Sequence, residues 1–177
     1  LTSLMSSLAD GSDRSSEALS TRQKRKDLKW YKRVESYYDL LAAAADSEGF
    51  YRDHPQGFHA TKPADAWKAY TTDWCAMDSA YRGFCTALDA CLLNTEDIPD
   101  LLRDSAERLA VRVENVYVNW FLPNVNDCWI NRAEPDWAEC GFAKGIEIQR
   151  DFFQRYPSRD TKEYKRTLVI IADGMRY

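Results

Sequence analysis

The residues best placed to do chemistry stand at the end of the chain, in "LVIIADGMRY", Leu168 to Tyr177. Leu168, Val169, Ile170 and Ile171 form a continuous apolar run, which suits a strand buried on both faces of a helix-covered parallel sheet. Ligands of open α/β sheets bind at the carboxyl ends of the strands, and Asp173 would stand there. A carboxylate so placed can reach a metal, a phosphate or a nucleophile. Gly174 would let the backbone turn sharply beside it, and Arg176 carries a fork suited to a carboxylate or a phosphate. The competing reading is structural: Asp173 caps a helix that begins at Gly174. One strand is not a sheet, so its partners would lie past Tyr177. The chain also begins with Leu1 rather than Met, and both ends read as those of an internal piece of a longer protein.

Two further groups could bind something. Arg22, Lys24, Arg25, Lys26, Lys29, Lys32 and Arg33 form a basic strip. It is either a solvated helix face or a phosphate-contacting surface, with Lys24, Arg25 and Lys26 as candidate nucleic-acid contacts. His54 and His59 lie five apart in one loop beside Asp53, but with no further His in the chain they make a poor metal set. The five cysteines, Cys75, Cys85, Cys91, Cys128 and Cys140, are odd in number and lack C-x-x-C spacing. They read as reduced thiols of a cytoplasmic protein, mostly small buried hydrophobes.

Helices must position these groups. The 177 residues include only seven Gly and six Pro, and 13% are aromatic, which favours long helices over sheet. With 45% hydrophobic and 29% charged residues the composition is globular. A net charge of -4 argues against a chain made as a whole for nucleic acid. No stretch reaches transmembrane length, so no membrane partner is expected. Residues 1–20 are Ser-rich and read as a linker or the tail of a preceding element. A first helix is expected from Ser20 to Asp46, then a loop from Asp46 to Pro63. A second is expected from Pro63 to Leu93, with Trp67, Tyr70, Trp74, Met77, Tyr81, Phe84, Leu88 and Cys91 on one seam, and Asp78 pairing with Arg82 one turn on. A third starts near Pro99 and follows Leu102, Leu109, Val113 and Phe121 to a kink at Pro123. Residues 133–145 read as irregular, and 146–156 as a short helix. The expected fold is therefore mainly α. It is an up-and-down bundle of three long helices plus shorter ones over residues 21–157, ending in a single strand at 164–177 that would begin an α/β domain.

The terminal motif, with "YTTDWCAMDSAYRGF" and "VYVNWFLPNVNDCW" upstream, resembles the PglZ family of BREX anti-phage defence systems, within the alkaline phosphatase superfamily. Catalytic domains of that family open with a strand ending in an acid, a small residue, a bulky residue and Arg-Tyr-Glu. Asp173 to Tyr177 match this in order, and the Glu would come next. The resemblance extends over about residues 25–135. It implies a metal-dependent phosphatase or phosphodiesterase in which Asp173 is a divalent-metal ligand, zinc being usual, and Arg176 supports the site. The nucleophile and remaining ligands would follow residue 177, so these residues alone should hold no cofactor and be inactive. Other BREX proteins would be the partners. The alternative is a helical protein-interaction scaffold without a catalytic role.

Overall fold

The computed structural model describes residues 1–94 and 97–155. The apolar run Leu168–Ile171, Asp173 and Arg176 lie outside the described residues.

The architecture is mainly α. Helix α1 (Thr2–Ala9) buries Leu4, Met5 and Leu8 on one face. This face packs against α6 (Asp100–Glu114), so part of the segment expected as a linker or the tail of a preceding element contributes to the core. Gly11, at φ +78°, reverses the chain after α1, a conformation that costs a side-chain-bearing residue strain.

Helix α2 (Ser15–Arg25) ends earlier than the sequence pattern indicates. A break and a 3-10 turn (Tyr31–Val34) separate it from α3 (Glu35–Asp53). The charged run between them offers no apolar stripe: Leu28 and Trp30 are both exposed. Helices this short persist mainly through tertiary packing, so the run breaks where packing stops. Tyr31 then turns inward and stacks on Tyr38, with ring centroids 5.0 Å apart.

Helix α3 is the central element. Tyr37, Tyr38, Leu40, Leu41, Ala44, Ala45 and Glu48 are all buried, spread around the helix rather than along one stripe. Its neighbours are α1, α2, α6 and above all α5 (Cys75–Leu92). Small residues allow that approach: a Cβ on Gly83 of α5 would come within 4.0 Å of the Ala43 Cβ. The helix also runs past Asp46 to Asp53, through what reads as a loop. Gly49 costs about 1 kcal/mol inside a helix, and the contacts made by Glu48 and Phe50 offset it.

The second long run is α4 (Pro63–Ala69), a π segment (Tyr70–Trp74) and α5. Most of its expected seam is inward, with Trp74, Met77, Phe84 and Cys91 buried, but Trp67 is 49% exposed. The third run is α6, a π segment (Asn115–Phe121) and α7 (Leu122–Cys140). Pro123 cannot donate a backbone hydrogen bond and its ring crowds the carbonyl four residues back. The π segment lies immediately ahead of it and absorbs both effects without ending the helix. Helix α7 also passes through Pro135 to Cys140, where irregular chain was expected. Fully buried Ala133 and the edge-on contact of Trp129 with Trp137, at 6.2 Å, hold the two sides of Pro135 together. Gly141, at φ +78°, closes α7, and its N–H donates to the Trp137 carbonyl at 3.0 Å. A 3-10 turn (Gln149–Asp151) and α8 (Phe152–Arg155) follow.

The core has two parts. One joins α1, α2, α3, the far half of α5 and α6 around Leu8, Tyr38, Leu41, Phe84 and Leu109. The other lies at the π segments, around Phe58, Trp74, Met77, Val116, Phe121 and Cys128.

Candidate functional site

The two π segments sit at the same end of the molecule and supply one side chain each to a shared acid. Tyr70, from the first, donates its hydroxyl to Asp78 Oδ2 at 2.5 Å. Tyr117, from the second, donates to Asp78 Oδ1 at 2.7 Å. Eight α-helical residues climb about 12 Å, and the wider π turn between Tyr70 and Asp78 helps the phenol close that gap. Tyr81 stacks flat on Tyr117, centroids 3.8 Å apart and planes 5° off parallel, and donates to Glu114 Oε2 at 2.8 Å. Beside Asp78 opens a cavity of about 270 Å³, walled by Trp67, Tyr70, Trp74, Phe121 and Trp129. Single π turns in α-helices recur at functional sites.

The phenols are held in the donor form. The bond to Asp78, then burial, pushes Tyr70 up to about 12 from the usual 10.0. Burial first, then the same acid, pushes Tyr117 well above the usual range, and burial with the Glu114 bond does the same to Tyr81. A tyrosine with a raised folded pKa stabilises the fold fully below its unfolded pKa and loses that contribution as pH rises through the folded value. Thermal stability should therefore fall between about pH 10 and 12. In a spectrophotometric alkaline titration these three tyrosines should ionise last, and Tyr70→Phe should remove one late step. Simultaneous ionisation of all ten tyrosines near pH 10 would contradict the arrangement.

A second charged group lies deeper. Glu48 is 1% exposed and takes a two-pronged contact from Arg112, Nε to Oε1 at 2.6 Å and Nη2 to Oε2 at 3.0 Å. Arg52 Nη1 stands 3.8 Å from Glu48 Oε2 and makes no hydrogen bond among the described residues. The other end of Arg52 reaches Ser15 Oγ and Asp13, 3.1 Å away. The Arg112 guanidinium also lies over the Tyr51 ring at 5.4 Å. The network ties the start of α2 to α3 and α6, which is a structural task.

The basic strip is not one free face. Arg22 donates twice to Asp39 Oδ1, at 2.6 and 2.9 Å, and Arg25 donates to the Tyr38 hydroxyl at 2.8 Å. Lys24 and Lys26 remain exposed at the end of α2. His54 contacts the Phe50 carbonyl through Nδ1 (2.9 Å) and Asp73 through Nε2 (3.2 Å), so both nitrogens are engaged. Among the described residues no cluster of three or more His, Cys, Asp or Glu side chains could hold a metal. All five cysteines are free thiols, but only Cys91 and Cys128 are buried, fewer than expected. Among the described residues no helix is long and apolar enough to cross a membrane.

No family model matches the chain, and no solved structure does. Two curated relatives do. The alkaline phosphatase-like protein PglZ of Bacillus cereus (strain H3081.97) is 27% identical over 153 residues, which are 86% of this chain and 17% of that protein. The chain is similar to PglZ over most of its own length. The alkaline phosphatase-like protein BrxZ of Escherichia coli O9:H4 (strain HS) is 29% identical over 143 residues, 79% of this chain and 16% of that relative. The chain thus spans about a sixth of the length of the curated relatives it matches. The similarity is wider than residues 25–135, where the motifs placed it.

Proposed function

We propose that this chain is the helical region preceding the catalytic domain of a PglZ-type, metal-dependent phosphatase or phosphodiesterase of a BREX phage-defence system, acting in the cytoplasm beside other proteins of that system. The observation that carries this reading is the match to two alkaline phosphatase-like relatives over 143 and 153 residues, in a stretch equal to 16–17% of their length. A helical piece of that size has room beside it in such a protein for a complete catalytic domain.

In this reading Asp173 is the first divalent-metal ligand and Arg176 supports the site. A pair of bound metal ions, zinc in the superfamily pattern, would polarise the phosphoryl oxygens and stabilise attacking and leaving groups. Even an open catalytic zinc site takes three protein ligands, so one carboxylate does not suffice. The remaining ligands and the nucleophile fall to sequence after Tyr177. The bundle's work is then to position the catalytic domain and to meet partner proteins, with Lys24 and Lys26 available to a nucleic-acid backbone. A scaffold without catalytic function remains the second reading, supported by the extensive helical core.

The test is hydrolysis of phosphomonoester and phosphodiester model substrates with added zinc, manganese or magnesium. The 177-residue chain should show no turnover above background, whereas a polypeptide extended through the catalytic domain should turn over. Turnover by the 177 residues alone overturns the proposal. An inactive extended protein, given metal and intact folding, favours the scaffold.

A further inference from the structure

The cavity beside Asp78 has the chemistry of a cation site. Five of its walls are aromatic faces or edges: Trp67, Tyr70, Trp74, Phe121 and Trp129. Indole and phenol faces attract organic cations through their quadrupoles, Trp most strongly. Asp78 is the carboxylate on the lining, with the Tyr70 phenol and the Asn126 amide as its other polar side chains; Arg82, one turn further along α5, is not among the lining residues, although its charge is felt at Tyr70. The rim is accessible, because Trp67 is 49% exposed and lies across from Trp129 with ring centroids 6.4 Å apart.

The hydrogen bonds at Asp78 narrow the kind of cation. Each carboxylate oxygen already accepts a phenol hydroxyl, at 2.5 and 2.7 Å. The acid therefore offers negative charge with about half of its acceptor sites already taken, and the ring faces around it offer no lone pairs to a ligand bristling with N–H groups. A primary ammonium or a guanidinium entering among the rings would leave donors unpaired, which is costly away from water. A fully methylated ammonium has no donors. It is weakly hydrated and gains from both the aromatic faces and the nearby charge. A cavity of about 270 Å³ is large enough for a trimethylammonium head and the first carbons attached to it.

We propose that the cavity between the two π segments binds a quaternary ammonium head of the choline type, held by Trp67, Trp129, Tyr70, Trp74 and Phe121 with Asp78 supplying the counter-charge. Binding closes the rim and ties the α4–α5 run to α7, so ligand and bundle end stabilise each other. The site is independent of the phosphatase reading, since it uses none of the residues after Arg155.

The indole N–H resonances of the six tryptophans give the readout, by NMR titration of the 177-residue chain. Tetramethylammonium and choline should shift three of them, those of Trp67, Trp74 and Trp129, saturably. The neutral isostere of choline, with carbon in place of nitrogen, should bind at least roughly 10-fold more weakly, the scale of a desolvated cation–π contact. Methylguanidinium should also bind more weakly than tetramethylammonium. A peptide carrying trimethyllysine presents the same head, and its affinity relative to choline separates a small-molecule source from a protein one. Asp78→Asn should weaken choline binding while leaving the helical circular dichroism in place. Trp67→Ala tests the wall at a half-exposed position that the fold does not need. Equal binding of choline and its neutral isostere, tighter binding of methylguanidinium, or unchanged affinity in Trp67→Ala would overturn the proposal, as would no saturable shift with any of these probes.

Discussion

Glu48→Ala should cost the fold about 3–5 kcal/mol, the range for removing one partner of a buried ion pair. Glu48 is 1% exposed, and its two oxygens face Arg112 and Arg52. Its loss leaves the Arg112 fork half-buried without an acceptor. It also leaves Arg52 Nη1, which is buried and makes no hydrogen bond among the described residues, without the charge that offsets its burial. The pair itself need not be strongly stabilising, because desolvation cancels much of the attraction. A double replacement, Glu48→Leu with Arg112→Met, should therefore recover most of the loss, with Arg52 still held by Asp13 and Ser15. Urea unfolding followed by far-ultraviolet circular dichroism measures all three proteins. A loss below about 1 kcal/mol for Glu48→Ala would place the pair with ordinary surface salt bridges.

Phe121→Ala should be comparably severe, about 3–5 kcal/mol. The ring is 1% exposed at the end of the second π segment. It meets Phe50 edge-on at 5.9 Å, Phe58 edge-on at 5.5 Å and Tyr117 at 5.5 Å. Such pairs add roughly 0.5–1.5 kcal/mol each beyond the area they bury. The truncation also opens one wall of the aromatic cavity, so the Trp67 and Trp129 indole signals should move even where the protein stays folded. Phe121→Leu should lose much less, because most of the volume is kept. Equal stability of Phe121→Ala and the parent would mean that this cluster is not a true core.

The mainly α fold was legible because its signals are repetitive. Trp74, Met77, Phe84 and Cys91 recur at helical spacing and are all buried, the first two in one part of the core and the last two in the other. Exceptions on the same stripes, Trp67 at 49% and Leu101 at 67% exposed, show that periodicity marks a face without fixing what covers it. Boundaries were less legible. The extension of α3 over residues 47–53 was hidden by Gly49 and by Glu48, a charged residue on a core face. Only the continued spacing of Leu41, Ala45, Glu48 and Tyr51 signalled it. Pro135 hid the end of α7 in the same way.

The cavity could not be read at all as a site. Tyr70 and Tyr117 stand 8 and 39 residues from Asp78, and both phenols reach the acid from π turns, which shift the helical register away from the spacing that a sequence pattern follows. Asp78 instead read as the partner of Arg82 along one helix. The basic strip was legible only in part: Arg22 and Arg25, three apart in sequence, turn to different acceptors, Asp39 and Tyr38, across a break in the helix, while Lys24 and Lys26 stay exposed.

The most direct measurement is the metal content of a polypeptide extended through the catalytic domain, compared with its Asp173→Ala variant, by elemental mass spectrometry alongside phosphodiester hydrolysis. The parent should carry bound divalent metal and turn over substrate. The variant, still helical and folded, should lose metal and fall in turnover by at least the 10–100-fold seen when even supporting groups of metal sites are removed. Unchanged metal content and turnover in Asp173→Ala would contradict the assignment of this acid to the catalytic centre.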